Sequence, residues 1–317
     1  MRAAFPDSNF LEAQLDPDTA VLAKGYDVVC TFVNDSCNAE TIRILGKSGV
    51  KLLALRCAGY DSVDLEAAAE AGIKVVRVPR YSPESVAEYA VALLLALNRH
   101  MCHTFNRVRD GNYTLSGLIG FEIHGKTAGV VGTGGIGKAL ARILLGFGCK
   151  VLAHDIYPDK ELQSLGVTYL PLEEMLPQCD IISLHCPLNK ATHHMMNKER
   201  IALLKRGVTI INTSRGGLVE TDAMVDALES GHVGHLGMDC YEGEGQLFYH
   251  DWTSMSTPTR LKAWDSHFQR LRNLPNVIIT PHTAFLTEEA LHNIAATTIN
   301  NIREWADGKP LTNQVLH

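Results

Sequence analysis

Residues 125–158 read GKTAGVVGTGGIGKALARILLGFGCKVLAHDIYP and decide the fold of this chain. An apolar run at 128–131 leads into GTGGIG at 132–137, a helical pattern follows, and a second apolar run at 150–153 ends shortly before Asp155. The pattern predicts a strand, a glycine turn, a helix, a second strand and an acidic residue. That order is typical of a dinucleotide-binding unit.

Each glycine of the turn has its own mechanical role. Gly132 permits the tight turn, Gly134 lets the backbone approach a pyrophosphate, and Gly137 lets the helix pack closely on the strand. The amino end of the helix then presents N–H groups and a positive dipole end to phosphates. Asp155 follows at roughly the spacing of ~20 residues expected for an acid that binds an adenosine ribose. Because this carboxylate would repel a 2′-phosphate, the unit predicts NAD rather than NADP.

Strand-like and helical patterns alternate along most of the chain. Strand-like runs lie at 10–15, 27–32, 51–55, 74–78, 167–170, 180–185, 209–212, 235–238 and 277–280. Strands that alternate with helices form parallel, doubly wound sheets, so the chain is predicted to be α/β. Residues 246–267 lack periodicity and are predicted to be a long surface excursion. The pattern at 85–99 is apolar on most of its circumference, which favours a helix at a subunit or domain interface.

Length, charge and apolar content narrow the class of protein. A chain of 317 residues is predicted to form two domains rather than one. Its net charge of −6 gives no attraction to nucleic acid or to an anionic membrane, and no apolar run approaches the ~20 residues that span a bilayer. The N-terminus lacks the apolar core of a secretion signal, so a cytoplasmic location is predicted. The cysteines are scattered singly, which predicts reduced thiols.

Three chemical groups follow predicted strands in the second half of the chain. They are Arg215, a carboxylate at Glu242 or Glu244, and His282. Because the carboxyl ends of parallel strands meet at one edge of a sheet, these groups should converge on one crevice beside the glycine turn. A guanidinium binds carboxylate and carbonyl oxygens, and a histidine oriented by a carboxylate donates a proton near neutral pH. The set predicts hydride exchange between a nicotinamide and a 2-hydroxy or 2-oxo acid.

Two histidine pairs raise the question of a metal site. His193 and His194 are adjacent, so their side chains are expected to diverge, and no spaced carboxylate or cysteine accompanies them. His100 and His103 have a helical spacing and are the slightly better candidate. No metal is predicted, because nothing beyond the bare spacing supports one.

Ordered motifs along nearly the whole chain resemble those of the D-specific 2-hydroxyacid dehydrogenases, most closely the NAD-dependent fermentative D-lactate dehydrogenases. The matching stretches are RCAGYDSVDL (56–65), VPRYSPESVAEYA (78–90), GKTAGVVGTGGIG (125–137), SLHCPL (183–188), NTSRGG (212–217), GMDCYEGE (237–244) and TPHTAFLTEEA (280–290). The resemblance implies two doubly wound parallel-sheet domains. A Rossmann NAD-binding domain at 81–283 would be inserted into a flavodoxin-like substrate domain made of 1–80 and 284–317. It also implies a homodimer or a higher homo-oligomer.

The resemblance assigns roles to individual residues. Arg215 would bind the substrate carbonyl and carboxylate, Glu244 rather than Glu242 would pair with the histidine, and His282 would donate the proton during reduction. The residues implied to contact NAD are Gly132, Gly134, Gly135, Ile136, Gly137, Asp155, Cys186, Pro187, Thr192, Thr213, Ser214 and Asp239. The residues implied to contact the substrate are Ala58, Gly59, Tyr81 and Phe285.

The predicted function is NAD-dependent reduction of pyruvate to D-lactate, and two alternatives stay open. One is a sibling enzyme for another 2-oxo acid, such as hydroxypyruvate, phenylpyruvate or 2-oxoisocaproate. The other is a non-catalytic, NAD-sensing protein similar to the corepressor branch of the family. Members of the family ordinarily carry a strand and a helix ahead of the region that matches residues 10–15. The substrate-domain sheet is therefore expected to lack a strand here.

Overall fold

The chain forms two compact units in a computed structural model that describes residues 1–316, with Gln246 described by its backbone alone. The first unit comprises Met1–Ser82 and the chain from Leu286 onward, and the second is Pro83–Phe285. The second unit is thus an insertion within the first. The predicted assignment of substrate and NAD roles to the two stretches stays a prediction at this point.

Strands and helices alternate in chain order. The strands are β1 Val28–Thr31, β2 Leu52–Leu55, β3 Lys74–Val76, β4 Thr127–Val131, β5 Lys150–His154, β6 Thr168–Tyr169, β7 Ile181–Leu184, β8 Val208–Asn212, β9 Val233–Met238, β10 Val277–Ile279 and β11 Gln314–Val315. The α-helices are α1 Ala39–Ser48, α2 Leu65–Glu70, α3 Pro83–Asn98, α4 Met101–Arg109, α5 Gly135–Gly146, α6 Lys160–Ser164, α7 Leu172–Met175, α8 Lys198–Ala202, α9 Thr221–Glu229, α10 Glu244–Leu247, α11 Thr257–Lys262, α12 Ser266–Asn273 and α13 Glu288–Ala306. Single 3₁₀ turns occur at Ala20–Ala23, Leu176–Gln178 and Gly216–Leu218.

The first unit is built on a four-stranded sheet in the described residues, in the order β1-β2-β3-β11. The first three strands run parallel, and β11 pairs antiparallel with β3. Alternate residues of β2 face opposite sides, so Leu53 packs with the buried residues of α1 and Leu52 packs beside Trp305 of α13. Because both faces are apolar, helices cover both of them.

The second unit carries an all-parallel, seven-stranded sheet in the described residues, in the order β6-β5-β4-β7-β8-β9-β10. Consecutive strands step outward from β4 to β6, and the chain then returns to the other side of β4 with β7. This reversal opens a crevice at the carboxyl ends of β4 and β7, where doubly wound sheets bind ligands. The predicted α/β class with parallel sheets is confirmed.

Three local predictions need correction. Residues 10–15 form no strand, because Phe10 and Leu11 are exposed while the Leu15 N–H is taken by the Asp35 carboxylate at 2.7 Å. Residues 249–267 are exposed or partly exposed, as predicted for a surface excursion, but the stretch also contains α11 and the start of α12, which begin at the capping side chains Ser256 and Asp265. The long apolar helix α3 packs within the second unit against α5, β8 and β9, which accounts for its apolar circumference without a subunit interface.

No helix among residues 1–316 is both long and apolar enough to cross a bilayer. None of the eight cysteines, all within the described part of the chain, forms a disulfide.

Candidate active site

The glycine turn between β4 and α5 has the backbone that a dinucleotide-binding turn needs. Gly132 has φ of +89°, and its N–H donates to the carbonyl of His154 on the neighbouring strand at 2.8 Å. A Cβ on Gly137 would lie 1.9 Å from the Gly132 carbonyl oxygen, so any side chain there would force the helix away from the strand. A Cβ on Gly134 would meet nothing within 4 Å, which leaves the approach to the amino end of α5 open. Gly135 and Ile136 form the first turn of that helix.

Asp155 lies just past β5 and is tied to the glycine turn. Its Oδ2 accepts bonds from the backbone N–H and the hydroxyl of Thr133 at 2.5 and 3.0 Å, and its Oδ1 accepts from the Tyr157 N–H at 2.8 Å. A carboxylate offers about four acceptor positions, so Oδ1 keeps one for a ribose hydroxyl. Ile156 and Tyr157 beside it are exposed and uncharged. The turn and its acid therefore fit NAD.

The loops after β7 and β8 meet beside this turn. The Ser214 hydroxyl donates to the Cys186 carbonyl oxygen at 2.7 Å, and the Thr192 hydroxyl donates to the Pro187 carbonyl oxygen at 2.6 Å. A Cβ on Gly132 would lie 2.6 Å from the Cys186 nitrogen, which shows how closely the loops approach. The predicted cofactor residues on three strand ends thus lie together, as parallel strands require.

The loop that carries Arg215 is held by a side chain that sequence reasoning missed. The Asn212 amide donates to the Arg215 carbonyl oxygen at 2.9 Å, and its Oδ1 accepts from the Ser214 N–H at 3.1 Å. The Arg215 guanidinium donates to the Ser214 carbonyl oxygen at 2.8 Å. Asn212 is the last residue of β8 and is buried, so an asparagine at the end of a buried strand was the available signal.

Gly216 brings this loop against the loop after β9. A Cβ on Gly216 would lie 2.1 Å from the Glu242 nitrogen and 2.1 Å from the Tyr241 carbonyl carbon. Only glycine permits such an approach of two backbones. The loop of Arg215 and the loop of Glu244 are therefore packed directly on each other.

His282 and Glu244 form a hydrogen-bonded pair at this edge of the sheet. The His282 Nδ1 lies 2.7 Å from the Glu244 Oε1, and the two side chains are 14% and 20% exposed. The other Glu244 oxygen accepts from the Tyr241 N–H at 2.8 Å, which fixes the carboxylate. Because an ionised carboxylate only accepts, Nδ1 carries the proton and Nε2 is the nitrogen left for a substrate.

Asp239 holds the segment on which His282 lies. Its Oδ1 accepts from the Thr280 hydroxyl at 2.5 Å and the Thr283 N–H at 2.9 Å, and its Oδ2 accepts from the Ala284 N–H at 2.7 Å. Burial raises the pKa of this carboxyl, and the three donors oppose that effect. His282 itself has φ of +56°, a conformation that these flanking bonds maintain. Asp239 thus acts as a positioning residue; its predicted contact with NAD stays a prediction.

The predicted substrate-contacting residues are divided between the two units. Phe285 is in the second unit, whereas Ala58, Gly59 and Tyr81 are in the first. Ala58 and Gly59 follow β2, where the Arg77 guanidinium donates to the Ala58 carbonyl oxygen at 2.8 Å. Their substrate-binding roles stay predictions.

The prediction that the side chains of His193 and His194 diverge was wrong. The two rings do not diverge but stack with their centroids 3.9 Å apart, and the Glu242 carboxylate joins them. The pair ranked above them, His100 and His103, forms no such group in the described part of the chain, and His100 bonds the Ile119 carbonyl oxygen instead.

Comparisons with known proteins agree with this geometry. A family model for the D-isomer specific 2-hydroxyacid dehydrogenase, NAD binding domain, matches residues 91–284. The solved structure of the pyruvate reductase of Chlamydomonas reinhardtii has a TM-score of 0.92 and 55% identity, covering 99% of this chain and 93% of that one. The D-lactate dehydrogenase of Escherichia coli K12 is 45% identical over 307 residues, 97% of this chain and 92% of that protein. A D-lactate dehydrogenase from Aquifex aeolicus, solved with NAD and lactic acid, has a TM-score of 0.84 and 35% identity, covering 97% of this chain and 91% of that one.

Proposed function

We propose that this chain, which belongs to the D-isomer specific 2-hydroxyacid dehydrogenase family, reduces pyruvate to D-lactate with NADH. Membership confirms the predicted enzyme class and the NAD cofactor. The observation that carries the proposal further is the 2.7 Å pair of His282 and Glu244, which lies at the carboxyl edge of the NAD-binding sheet.

In the proposed reaction Arg215, His282 and Glu244 have separate roles. Bound NADH supplies the hydride that reduces the 2-oxo group. Arg215 binds the carbonyl and carboxylate oxygens of the substrate, because a guanidinium presents several donors in one plane and stays charged. His282 gives its Nε2 proton to the carbonyl oxygen, and Glu244 keeps the ring oriented through Nδ1. The products are a 2-hydroxy acid and NAD⁺, with one proton consumed from solvent.

Pyruvate is supported as the substrate by the relatives rather than by the site. The Chlamydomonas protein is described as a pyruvate reductase and the Escherichia coli protein as a D-lactate dehydrogenase. The test is kcat/KM for NADH oxidation with pyruvate, hydroxypyruvate, phenylpyruvate and 2-oxoisocaproate. Pyruvate should have the highest value. A higher value for one of the other acids would establish the sibling alternative instead.

The hydrogen-bonded pair of His282 and Glu244 disfavours the non-catalytic alternative. A protein that only senses NAD has no need of a histidine held at 2.7 Å from a carboxylate whose second oxygen is also fixed. This alternative would prevail if the protein bound NADH tightly and turned over none of the four acids.

A homodimer is the assembly that we propose, through a surface other than the predicted one. Large apolar side chains are exposed on α4 and on the segment that follows it, namely Met101, Phe105, Val108, Tyr113, Leu115 and Ile119. Met101, Phe105 and Val108 share one face of α4 by their helical spacing, and exposed apolar side chains concentrated in this way are typical of a protein interface. Sedimentation should give a dimer for the parent and a monomer for a variant with Leu115→Glu and Ile119→Glu. The cytoplasmic location stays a prediction.

A further inference from the structure

Two histidines and one glutamate form a cluster that the proposed reaction does not use. The His194 Nε2 lies 2.8 Å from the Glu242 Oε1, and the His193 Nε2 lies 3.6 Å from the same oxygen. One ligand atom of each side chain lies within 4.8 Å of the others. We call these three residues the HHE cluster.

The two adjacent histidines converge because of the turn on which they lie. His193 donates its N–H to the Asn189 carbonyl oxygen at 2.9 Å, and His194 donates its N–H to the Gly217 carbonyl oxygen at 2.8 Å. His194 has φ of +50°, which breaks the alternation that would send neighbouring side chains apart. The rings therefore stack, tilted by 25°, with both Nε2 atoms directed at one carboxylate.

The donor set and its spacing match a tetrahedral transition-metal site. Imidazole nitrogen and carboxylate oxygen are ligands that Zn²⁺ prefers, at ~2.0–2.1 Å, so two ligand atoms of a tetrahedron lie roughly 3.3 Å apart. The 2.8 and 3.6 Å separations in the HHE cluster bracket that value. The side chains are 54%, 34% and 39% exposed, so an ion can enter and water can fill a fourth position.

Neighbouring groups support the ligands. The Thr221 hydroxyl lies 3.4 Å from the Glu242 Oε2, which orients the carboxylate so that Oε1 faces the histidines. Hydrogen bonds of this kind to ligand side chains strengthen metal sites. Glu242 also lies in the loop that packs on Gly216, whose neighbour Gly217 accepts the His194 N–H.

The geometry points to a binding site for one divalent transition-metal ion of the Zn²⁺ class, held by His193, His194, Glu242 and a water molecule. The ion joins the loop after β7, which carries both histidines, to the loop after β9, which carries Glu242. Because the ligands come from separate loops, the ion stabilises the folded chain by mass action.

Cobalt titration of untagged, chelator-stripped protein tests this site. Co²⁺ gives visible absorption bands whose intensity distinguishes four-coordinate from hexaaqua ions, and Zn²⁺ should displace it. The parent should bind one Co²⁺ per chain. His193→Ala and Glu242→Gln should each weaken binding by at least about tenfold, since each removes one of three protein ligands. His267→Ala is the matched control, because His267 is a similarly exposed histidine that pairs with Asp222 at 2.7 Å.

NADH affinity, measured on the same preparations, shows whether each variant is folded. Loss of Co²⁺ binding in the two ligand variants, with NADH binding retained and the His267→Ala protein unchanged, would support the site. Absence of a one-to-one Co²⁺ complex in the parent would overturn it. Equal Co²⁺ affinity in the parent and in either ligand variant would overturn it as well. Neither readout depends on which 2-oxo acid the enzyme reduces.

Discussion

Two histidine–glutamate pairs have their glutamates in the loop that follows β9. The pairs have nearly the same contact distance, but they differ in exposure and in the hydrogen bonds that hold them. His282 and Glu244 lie 2.7 Å apart and are 14% and 20% exposed. His194 and Glu242 lie 2.8 Å apart and are 34% and 39% exposed. The first carboxylate is fixed by a backbone N–H, and its histidine lies on a segment held by Asp239. The second carboxylate accepts a long bond from the Thr221 hydroxyl at 3.4 Å and lies 3.6 Å from the His193 Nε2.

A short contact between a histidine and a glutamate does not by itself identify a catalytic pair. What distinguishes His282 and Glu244 is partial burial, fixed orientation on both sides and a place at the carboxyl edge of the NAD-binding sheet. Burial strengthens the interaction between the carboxylate and the imidazole, because fewer water molecules screen it. We expect changes to the first pair to affect catalysis, and changes to the second to affect only local stability and metal binding.

Removal of the proposed proton donor should have the largest effect. His282→Ala should lower kcat for pyruvate reduction by about 10³-fold, within the usual range for general acid catalysis. His282→Asn is the companion variant, because asparagine tolerates the positive φ at this position better than alanine does. Both should keep NADH affinity near that of the parent, measured by fluorescence titration. Parent-like kcat in the asparagine variant would exclude His282 as the proton donor.

Loss of the orienting carboxylate should come next. Glu244→Gln should lower kcat by about 10- to 100-fold, because an amide that donates to Nδ1 prevents the ring from carrying a proton there. Glu242→Gln, two residues away, should change kcat by less than about twofold, since its carboxylate has no role in the proton transfer. Steady-state assays at saturating pyruvate would show the contrast. Equal losses in the two variants would remove the distinction between the pairs.

Disruption of the buried carboxylate behind His282 should cost stability. Asp239→Asn places an amide N–H₂ against an existing donor, so the free energy of unfolding should fall by roughly 1–3 kcal/mol. Urea denaturation monitored by tryptophan fluorescence measures this loss. A midpoint equal to that of the parent would show that the segment after β10 does not depend on Asp239.

The pH dependence of stability should report the same carboxyl. Burial raises the pKa of Asp239 in the folded chain, so the folded state binds more protons than the unfolded state between the two pKa values. Folding stability from this group therefore increases as the pH falls from 7 toward 4. The parent should therefore gain stability relative to Asp239→Asn over this interval, as measured by urea denaturation at each pH. A difference that shrinks on acidification would contradict the raised pKa.

The exposed pair should give the smallest effect on stability. Glu242→Gln should lower the free energy of unfolding by at most about 1 kcal/mol in metal-free buffer, because partly exposed ion pairs are screened by water. The same urea experiment provides the value. A loss larger than that of Asp239→Asn would contradict the weak contribution expected of the exposed pair.

Much of this site could be predicted because it depends on sequence order. The glycine turn, Asp155 and the residues after each strand follow from the alternation of strands and helices, which places strand ends on one edge. Asn212 was missed because its role consists of two hydrogen bonds to the following loop, and an asparagine at the end of a buried strand does not by itself reveal the path of that loop. The convergence of His193 and His194 was missed because it depends on one positive φ.

The remaining differences have equally local causes. The run at 10–15 is predicted to be a strand, but Phe10 and Leu11 are exposed and bury no apolar face. The sequence pattern of α3 predicts a helix at a subunit or domain interface, yet its apolar residues pack in a core cluster of the second unit. Which neighbour covers an apolar face is a question of tertiary packing, and composition does not answer it.

The product formed from pyruvate and NADH provides the decisive test of the proposed reaction. The parent protein should oxidise one NADH for each D-lactate released, with the absorbance at 340 nm and an enantiomer-specific lactate assay followed together. Equal amounts of NADH consumed and D-lactate formed would support the proposed reaction. Formation of L-lactate, or no lactate from a protein that demonstrably binds NADH, would contradict it.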